Sequence, residues 1–226
     1  SYYLTGNIDV PDGRTAISIT ASGVRLELGG FRIAAIGALA ALGITNFGSA
    51  VTGIEIRNGS IVGMGDGGIS LSNVDGVVVE DIVVLAASNV GIRVGAGARL
   101  TRVVCLGCAQ DGIVTGTGGA VLDCTARGNG MNGIRVGFES LVEACICGSN
   151  TLAGIQTVGT ACVVRACIAT GNGTHGIVAG SVVAACAATG NTQRGISAES
   201  ASVVGCAARA NGASGIYAQN SEIDEC

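Results

Sequence analysis

The sequence predicts an all-β fold, a parallel β-helix in which about 21 residues form each coil. Three observations predict it: the dipeptide Gly-Ile recurs at a nearly constant spacing, a series of cysteines keeps step with it, and so does a series of asparagines. Three registers with one period indicate that each repeat is one structural unit and that equivalent residues lie above one another. We therefore treat residues 1–226 as a single β-helix domain.

The isoleucine series predicts a buried column, because an apolar residue holds the same place in every repeat. From Ile92 onward the intervals are 19 to 22 residues, whereas the first two are 15 and 23. We expect the column to be continuous at least from Ile113 to Ile216. The series is Ile54, Ile69, Ile92, Ile113, Ile134, Ile155, Ile177, Ile196 and Ile216.

The cysteine series predicts a second column, with Ile82 in the equivalent place one repeat before its first member. Stacked side chains run parallel and do not reach disulfide geometry, so we expect buried free thiols that pack as small hydrophobic groups. A linear stack does not converge on a tetrahedral metal site, and we expect neither a metal nor a cofactor. The series is Cys105, Cys124, Cys145, Cys167, Cys186, Cys206 and Cys226.

The asparagine series predicts a stacked turn, since each member stands five residues before a repeat isoleucine. Asparagine tolerates the left-handed αL conformation, and its amide can form hydrogen bonds along the helix axis. We expect these side chains to lie on one side of the helix and to satisfy turn backbone groups. The series is Asn129, Asn150, Asn172, Asn191 and Asn211.

Short strands separated by turns account for each unit. The apolar runs, as in 141–145 and 146–150, span three to five residues, are rich in Val and Ile, and are interrupted by Gly too often for helices. One unit cannot bury its own apolar face, but stacked units bury a continuous core. The leucine-rich repeat has a similar period, but its leucine frame and helical leg are missing here, which makes it the less favoured alternative.

Two segments resemble a known superfamily. GNGMNGIRVG at 128–137 and GNGTHGIVAG at 171–180 resemble the right-handed parallel β-helix repeats of the pectate-lyase-like superfamily. The start, SYYLTGNIDVPDG at 1–13 followed by ITASGVRLELGGFRI at 19–33, resembles the opening coils of bacterial β-helix repeat proteins of unassigned function. The resemblance covers nearly the whole chain and implies a single-stranded right-handed parallel β-helix (a solenoid). It implies no one activity, because the superfamily holds lyases, hydrolases, epimerases, phage tailspikes, adhesins and inert scaffolds.

The opening is less regular than the rest. Residues 1–50 are expected to form less regular opening coils, and the apolar stretch AAIGALAALGITNFGSA at 34–50 is expected to be an insertion. This insertion is either a short helix or a loop. It packs against the side of the barrel or offers an exposed apolar contact to a partner.

Composition excludes several classes of protein. The chain is 48% hydrophobic, and its 12 basic and 16 acidic residues give a net charge of −4. A disordered chain would be less apolar, and a nucleic-acid-binding protein would show a basic field, so neither is expected. We also expect no membrane span, because no run of about 18 apolar residues occurs.

Candidate catalytic residues are few. Aligned on the cysteine series, Glu143 and Arg165 share a register on consecutive coils, while Asp123 lies one coil earlier and one residue out of step. These three are the weak catalytic candidates, and a surface ion pair is the alternative. Glu80 and Asp81 are expected to stand alone, and His175 is expected to be a solvated turn residue.

Two functions from different classes follow. The first is a non-enzymatic extracellular or cell-surface structural β-helix, possibly a protomer that associates end to end into a filament, because the sequence shows no capping helix at either end. The second is a polysaccharide-acting lyase or hydrolase, or a carbohydrate-binding module. The single histidine and the lack of a carboxylate cluster favour the first.

Overall fold

A computed structural model describes residues 1–37, 41–48 and 50–226. Over these residues the chain winds through about ten coils of a parallel β-helix, as predicted, and every strand pairing is parallel. Each regular coil contributes one strand to each of three ladders, which we call ladders I, II and III in the order in which the chain first enters them. Stacking of the coils buries one continuous core.

Ladder III is a ten-stranded sheet whose strands follow one another in chain order. Its strands are β3 (Ile17–Ser18), β6 (Leu42–Thr45), β8 (Gly67–Leu71), β10 (Val90–Val94), β13 (Ile113–Thr115), β16 (Ile134–Val136), β19 (Ile155–Thr157), β22 (Ile177–Ala179), β25 (Ile196–Glu199) and β28 (Ile216–Gln219).

Ladders I and II together form the second sheet, since the long strands β7 (Glu55–Val62) and β9 (Val78–Leu85) belong to both. The other strands of ladder I are β1 (Tyr2–Tyr3), β4 (Arg25–Glu27), β11 (Arg99–Thr101), β14 (Ala120–Leu122), β17 (Leu141–Glu143), β20 (Val163–Arg165), β23 (Val182–Ala184), β26 (Ser202–Val204) and β29 (Glu222–Asp224). Those of ladder II are β2 (Ile8–Val10), β5 (Arg32–Ala35), β12 (Val104–Leu106), β15 (Thr125–Arg127), β18 (Ile146–Gly148), β21 (Ile168–Thr170), β24 (Ala187–Thr189) and β27 (Ala207–Arg209).

A corner separates ladder I from ladder II in each coil. The corner residue has a positive φ, for example 53° at Asp123 and 54° at Ala144, and its N–H donates to a carbonyl of the next coil. The residue after it points inward again. One αL residue therefore changes the direction of the chain without breaking the alternation of inward and outward side chains.

The asparagines stack at a second corner, after ladder II. Each follows directly on an αL residue, such as Gly128 (φ 63°) before Asn129. From Asn129 to Asn191, each Nδ2 donates to Oδ1 of the next asparagine at 2.9–3.0 Å, and the same oxygen accepts a backbone N–H at 3.0–3.1 Å. Four of the five are buried, and Asn211, the last, is half-buried. These bonds satisfy buried turn groups that the ladders leave unpaired.

The stacked amides also explain the glycine of each Gly-Ile pair. A Cβ on Gly154 would lie 2.8 Å from Nδ2 of Asn172 and 2.7 Å from the carbonyl oxygen of Gly176. The equivalent glycines of the neighbouring coils, Gly133 and Gly176, meet the next asparagine at 2.7 Å. A side chain at this place would displace the amide, so the glycine and asparagine registers are two parts of one contact.

The isoleucine column runs the length of the helix along ladder III, with one correction to its start. Ile113, Ile134, Ile155, Ile177 and Ile196 are fully buried and pair in register, and Ile216 at the end is half-buried. Ile54 does not belong to the column, because Ile69 pairs with Ile44 instead. Ile54 is also fully buried, but it precedes a strand of ladder I. The chain folds one opening coil with 25 residues between equivalent isoleucines, so the Gly-Ile count misassigned that position.

The cysteine column runs from Cys124 to Cys226 along the first corner, and Cys105 lies outside it. Val104 pairs with Thr125, which places Val103 above Cys124. Cys105 instead pairs with Ala126, whose next partner is Cys147, in the neighbouring inward column. Both columns face the core two residues apart, so spacing alone did not separate them. All ten thiols are free, and only Cys226 is exposed.

Within 34–50, residues 38–40 and 49 lie outside the described residues. The described part ends β5 and contains β6, so part of the stretch predicted to be a helix or loop is a strand of ladder III. Ile36 and Phe47, on either side of that strand, are 66% and 67% exposed. No helix in the described ranges could span a membrane.

Candidate functional site

The three predicted catalytic candidates lie on ladder I and its corner. Glu143 pairs in register with Arg165, and Arg165 Nη2 lies 2.9 Å from Glu143 Oε2. This hydrogen bond raises the pKa of Arg165. Asp123 sits on the corner, where its N–H donates to the carbonyl of Glu143 at 3.0 Å, and its register is that of Ala144. Glu143 and Arg165 therefore form a surface ion pair beside a separate carboxylate, and a catalytic role for the three stays a prediction.

A larger group of charges lies on the first coils of ladder I. Arg102 bonds Glu80 at 2.6 Å and Asp81 at 2.6 Å, and Glu80 also bonds Arg57 at 3.0 Å, so the expectation that Glu80 and Asp81 stand alone was wrong. The hydrogen bond from Arg102 lowers the pKa of Asp81. The network contains three cations and three anions, so its net charge is zero. Every charged group in it has an ion-pair partner. Its members are Arg25, Glu55, Arg57, Glu80, Asp81 and Arg102.

The outer face of ladder III carries a polar groove of about 300 Å³. On one side Asn89 Nδ2 donates to Asp66 Oδ1 at 3.0 Å, with Gln110 in the equivalent place of the next coil. On the other side Ser70 and Arg93 pair in register at the outward position of β8 and β10. Arg93 has no ion-pair partner among the described residues. We call this set, together with Arg135 two coils further along the Arg93 column, the polar groove.

A buried carboxylate positions Arg135. The side chain of Asp111 is only 3% exposed, and its Oδ2 lies 3.1 Å from Nε of Arg135. Its Oδ1 accepts from the backbone N–H and from Nδ2 of Asn132, each at 2.9 Å. The terminal nitrogens of Arg135 have no hydrogen-bond partner in the described part of the chain, and the side chain is 34% exposed. Arg135 therefore offers a guanidinium in a fixed orientation to a ligand on the outer face.

A second polar cluster lies on the same face towards the C-terminal coils. The guanidinium of Arg194 stacks on Tyr217, 3.6 Å from the ring centroid, and donates to Ser197 Oγ at 3.2 Å. The backbone N–H of Arg194 donates to His175 Nδ1 at 3.3 Å, so this turn histidine has a partner that the sequence did not suggest. Burial, and next the charge of Arg194, lower the pKa of His175. His175 is therefore neutral at neutral pH.

Where the structure describes the chain, its thiols and carboxylates do not come together as metal ligands. No group of three or more His, Cys, Asp or Glu side chains within the described ranges could hold an ion. Burial raises the pKa of Cys105 and of Cys147, which keeps both thiols protonated and unreactive. Each cysteine of the column bonds the carbonyl two residues before it, for instance Cys145 to Glu143 at 3.2 Å.

Neither Arg93 nor Arg135 was identified as a candidate from the sequence, and the groups around them were missed. The signal that could have found Asp111 is its 24-residue separation from Arg135, about one coil plus three residues, which places the two on adjacent coils. Asp66 and Asn89 are likewise 23 residues apart, and Asp81 and Arg102 are 21 apart. In a solenoid, charged or amide residues about one coil length apart in the sequence therefore indicate a polar cluster on adjacent coils.

A family profile described as "Right handed beta helix region" matches residues 111–226, which are 116 of the 226 residues. The chain belongs to this family. The match confirms the right-handed parallel β-helix and the predicted class of repeat. A comparison with curated proteins gave no match.

Two solved structures from Azotobacter vinelandii are similar to this right-handed β-helix. One is the A-module of the mannuronan C-5 epimerase AlgE4, with a TM-score of 0.58, 17% identity, and coverage of 96% of this chain and 66% of that module. The other is the A-module of the mannuronan C-5 epimerase AlgE6, with a TM-score of 0.62, 15% identity, and coverage of 99% and 82%. At these identities the likeness shows the fold alone. The chain spans just under two thirds of the AlgE4 module.

Proposed function

We propose that this chain is a module that binds an anionic polysaccharide along the outer face of ladder III. The observation that carries the proposal is Arg135, whose Nε is held by the buried Asp111 while its terminal nitrogens face outward without a partner. A fixed guanidinium whose two terminal nitrogens are free matches a carboxylate or sulfate group. A buried carboxylate is costly unless it is paired, so Asp111 and Arg135 hold each other in place.

The rest of the polar groove supplies the groups that sugars bind. Arg93 lies two coils from Arg135 in the same column, a separation of about 10 Å. Asp66, Asn89 and Gln110 add carboxylate and amide groups that can bond hydroxyls along the same line. Because equivalent positions recur at every coil, an extended polymer parallel to the axis meets a new set of groups at each step.

The similar solved structures lend support, since both are modules of enzymes named for mannuronan. Polymers of this kind lie outside the cell, so the proposal also places the chain in an extracellular or cell-surface setting. The proposed activity is binding, without a catalytic step. His175, Arg194 and Tyr217 would extend the bound stretch towards the C-terminal coils.

The test is binding of polymannuronate and of a neutral glucan, measured by calorimetry on the whole chain. We expect polymannuronate to bind, the glucan to bind much more weakly, and affinity for polymannuronate to fall as salt rises. Arg93→Gln should weaken binding about ten-fold or more, because a charge-assisted hydrogen bond contributes about 1.5–3 kcal/mol. Arg127→Gln removes the same charge from an exposed position of ladder II and should leave affinity unchanged. Failure to bind polymannuronate, or equal losses in the two variants, would refute the proposal.

A structural β-helix that associates end to end is the second candidate. Ladders I and III each have an unpaired strand edge at β29 and β28, and at β1 and β3, in the described residues. Tyr2, Tyr3 and Ile223 at these ends are 64%, 74% and 49% exposed. A contact of one end with the other is heterologous and would add copies without limit. Sedimentation that shows a growing series of masses would support it, and a single mass at all concentrations would refute it.

A further inference from the structure

The outer face of ladder I carries an apolar surface with one ion pair at its centre. We call it the lateral patch. Its strands β14, β17, β20, β23 and β26 alternate outward and buried side chains, and the outward side chains are half-buried or exposed. Apart from Ser202, Glu143 and Arg165, these outward positions hold only apolar groups. The apolar members are Ala120, Leu122, Leu141, Val163, Val182, Ala184 and Val204.

The apolar surface continues across the first corner. The corner positions beside Glu143 and Arg165 are the exposed Ala144 and Ala166, which are small and uncharged, whereas the corner of the preceding coil holds the exposed Asp123 at the edge of the patch. Beyond them, the first outward positions of ladder II in the same coils are Ile146 and Ile168, and Ile168 is 45% exposed. A contiguous apolar surface of this kind marks an interaction site more often than an ordinary surface.

We propose that two copies of this chain associate side by side through the lateral patch, related by a two-fold axis that passes between Glu143 and Arg165. These two residues sit on consecutive coils at the same place in the strand. A two-fold axis between them places Glu143 of each copy against Arg165 of the other. Val182 and Ala184 then lie opposite the coil of Ala120 and Leu122 of the second copy, apolar against apolar.

Charge complementarity selects a second copy as the occupant. A partner of a single charge sign would meet one attracting and one repelling group at the centre of the patch. A rotated copy presents the complement of both, and four charges then replace the intramolecular pair of 2.9 Å. A sugar is a poorer match, because the apolar positions around the pair offer few hydrogen bonds. The inference is independent of the polar groove, which lies on a different ladder.

The test uses paired charge reversals and light scattering coupled to size exclusion. The wild-type chain should elute with twice its mass of 22.0 kDa. E143R places two positive charges at the centre of the patch, and R165E places two negative ones there. Two copies of the same variant then repel each other across the two-fold axis, so each variant alone should be monomeric. An equimolar mixture of the two should recover the dimer, and so should the double variant E143R/R165E. Because the Glu143 and Arg165 side chains are 35% and 51% exposed, each variant should keep the wild-type circular dichroism.

A second pair of variants tests the apolar part of the patch. Val182→Lys changes a side chain that is 37% exposed within the patch, and Val158→Lys changes one that is 54% exposed outside it, after ladder III. V182K should be monomeric, and V158K should stay dimeric. A wild-type monomer at the highest soluble concentration, masses that grow beyond two copies, a dimer that survives V182K, or a mixture of E143R and R165E that stays monomeric would each overturn the proposal.

Discussion

Replacing Asn172 with alanine should destabilise the protein far more than its size suggests, because this side chain serves two neighbouring coils at once. It is fully buried at the middle of the asparagine stack. Its Oδ1 accepts from the backbone N–H of Asn150 at 3.1 Å and from Nδ2 of Asn150 at 3.0 Å. Its Nδ2 donates to the carbonyl of Cys147 at 3.4 Å and to Oδ1 of Asn191 at 2.9 Å.

The size of this destabilisation can be estimated from the hydrogen bonds that each partner of Asn172 keeps or loses. Asn150 Nδ2 keeps its bond to the carbonyl of Ala126, and Asn191 Oδ1 keeps the backbone N–H of residue 172. The backbone N–H of Asn150 loses its partner in a buried site, which costs about 1–3 kcal/mol. The other three bonds contribute about 0.5–1.5 kcal/mol each. Allowing for partial relaxation, we expect a loss of about 3–5 kcal/mol in the free energy of unfolding.

Equilibrium denaturation in guanidinium chloride, followed by circular dichroism, measures this loss. Asn211→Ala is the matched control, because Asn211 is half-buried at the end of the stack and lacks the bond to a further asparagine. Its Oδ1 accepts from the backbone N–H and from Nδ2 of Asn191, and its Nδ2 donates only to the carbonyl of Ala188. It should cost clearly less. Asn172→Asp should be at least as damaging as Asn172→Ala at neutral pH, since it adds a buried charge and removes the donor. A cost below about 1 kcal/mol for Asn172→Ala, or equal costs for Asn172→Ala and Asn211→Ala, would refute the reasoning.

Three further outcomes are expected. The free energy of unfolding of Cys167→Ser, from denaturant titration, should stay within about 1 kcal/mol of wild type, because a hydroxyl can make the same bond to the carbonyl of Arg165. Cys167→Ala cannot make this bond and should cost about 1–3 kcal/mol. Equal losses in the two variants would contradict this. The pKa of the single histidine, His175, measured by NMR, should lie below its ordinary value of 6.5. The contribution of His175 to stability is therefore present above pH 6.5 and is lost as the pH falls through the lower pKa of the folded state. A measured pKa at or above 6.5 would count against its packing. Arg102 holds the pKa of Asp81 below 3.8 in the folded protein. The difference in the free energy of unfolding between wild type and R102Q should therefore be present at neutral pH and shrink as the pH falls through the pKa of folded Asp81. A difference that does not change with pH would exclude this ion pair as its cause.

The columns were predictable because, in a solenoid, residues one repeat apart in the sequence stack on one another in the structure. Asn129 and its equivalents had to share a face once their distance to the repeat isoleucine was constant. Where the prediction went wrong, two positions had the same environment. Cys105 and Cys124 both point into the core, and only the pairing of Val104 with Thr125 shows that they belong to adjacent columns. Ile54 was misassigned because Gly43–Ile44 carries the same dipeptide as Gly53–Ile54, and the longer opening coil put the first pair in register.

The candidate site was harder to predict than the fold. Arg135 is an ordinary outward residue in the sequence, and its fixed orientation depends on Asp111 in the preceding coil and on Asn132, which closes the other side of that carboxylate. Such groups combine residues from different positions of adjacent coils, so no single register displays them. The ion pair of Glu143 and Arg165 was predictable, because both residues occupy one register on consecutive coils.

The asparagine stack also bears on chemical ageing. Of the stacked asparagines, Asn129, Asn172 and Asn211 are each followed by glycine. Glycine is the neighbour with which asparagine loses its amide most readily in peptides, since the glycine nitrogen can attack the side chain and close a succinimide ring. Here the N–H of Gly173 donates to the carbonyl of Asn150 at 2.8 Å, and the amide it would have to attack is held by both adjacent coils. Asn211 is clamped from one side only. Within the stack, deamidation should therefore occur at Asn211 before Asn172, so that the contacts that stabilise the helix also set the order in which these amides are lost.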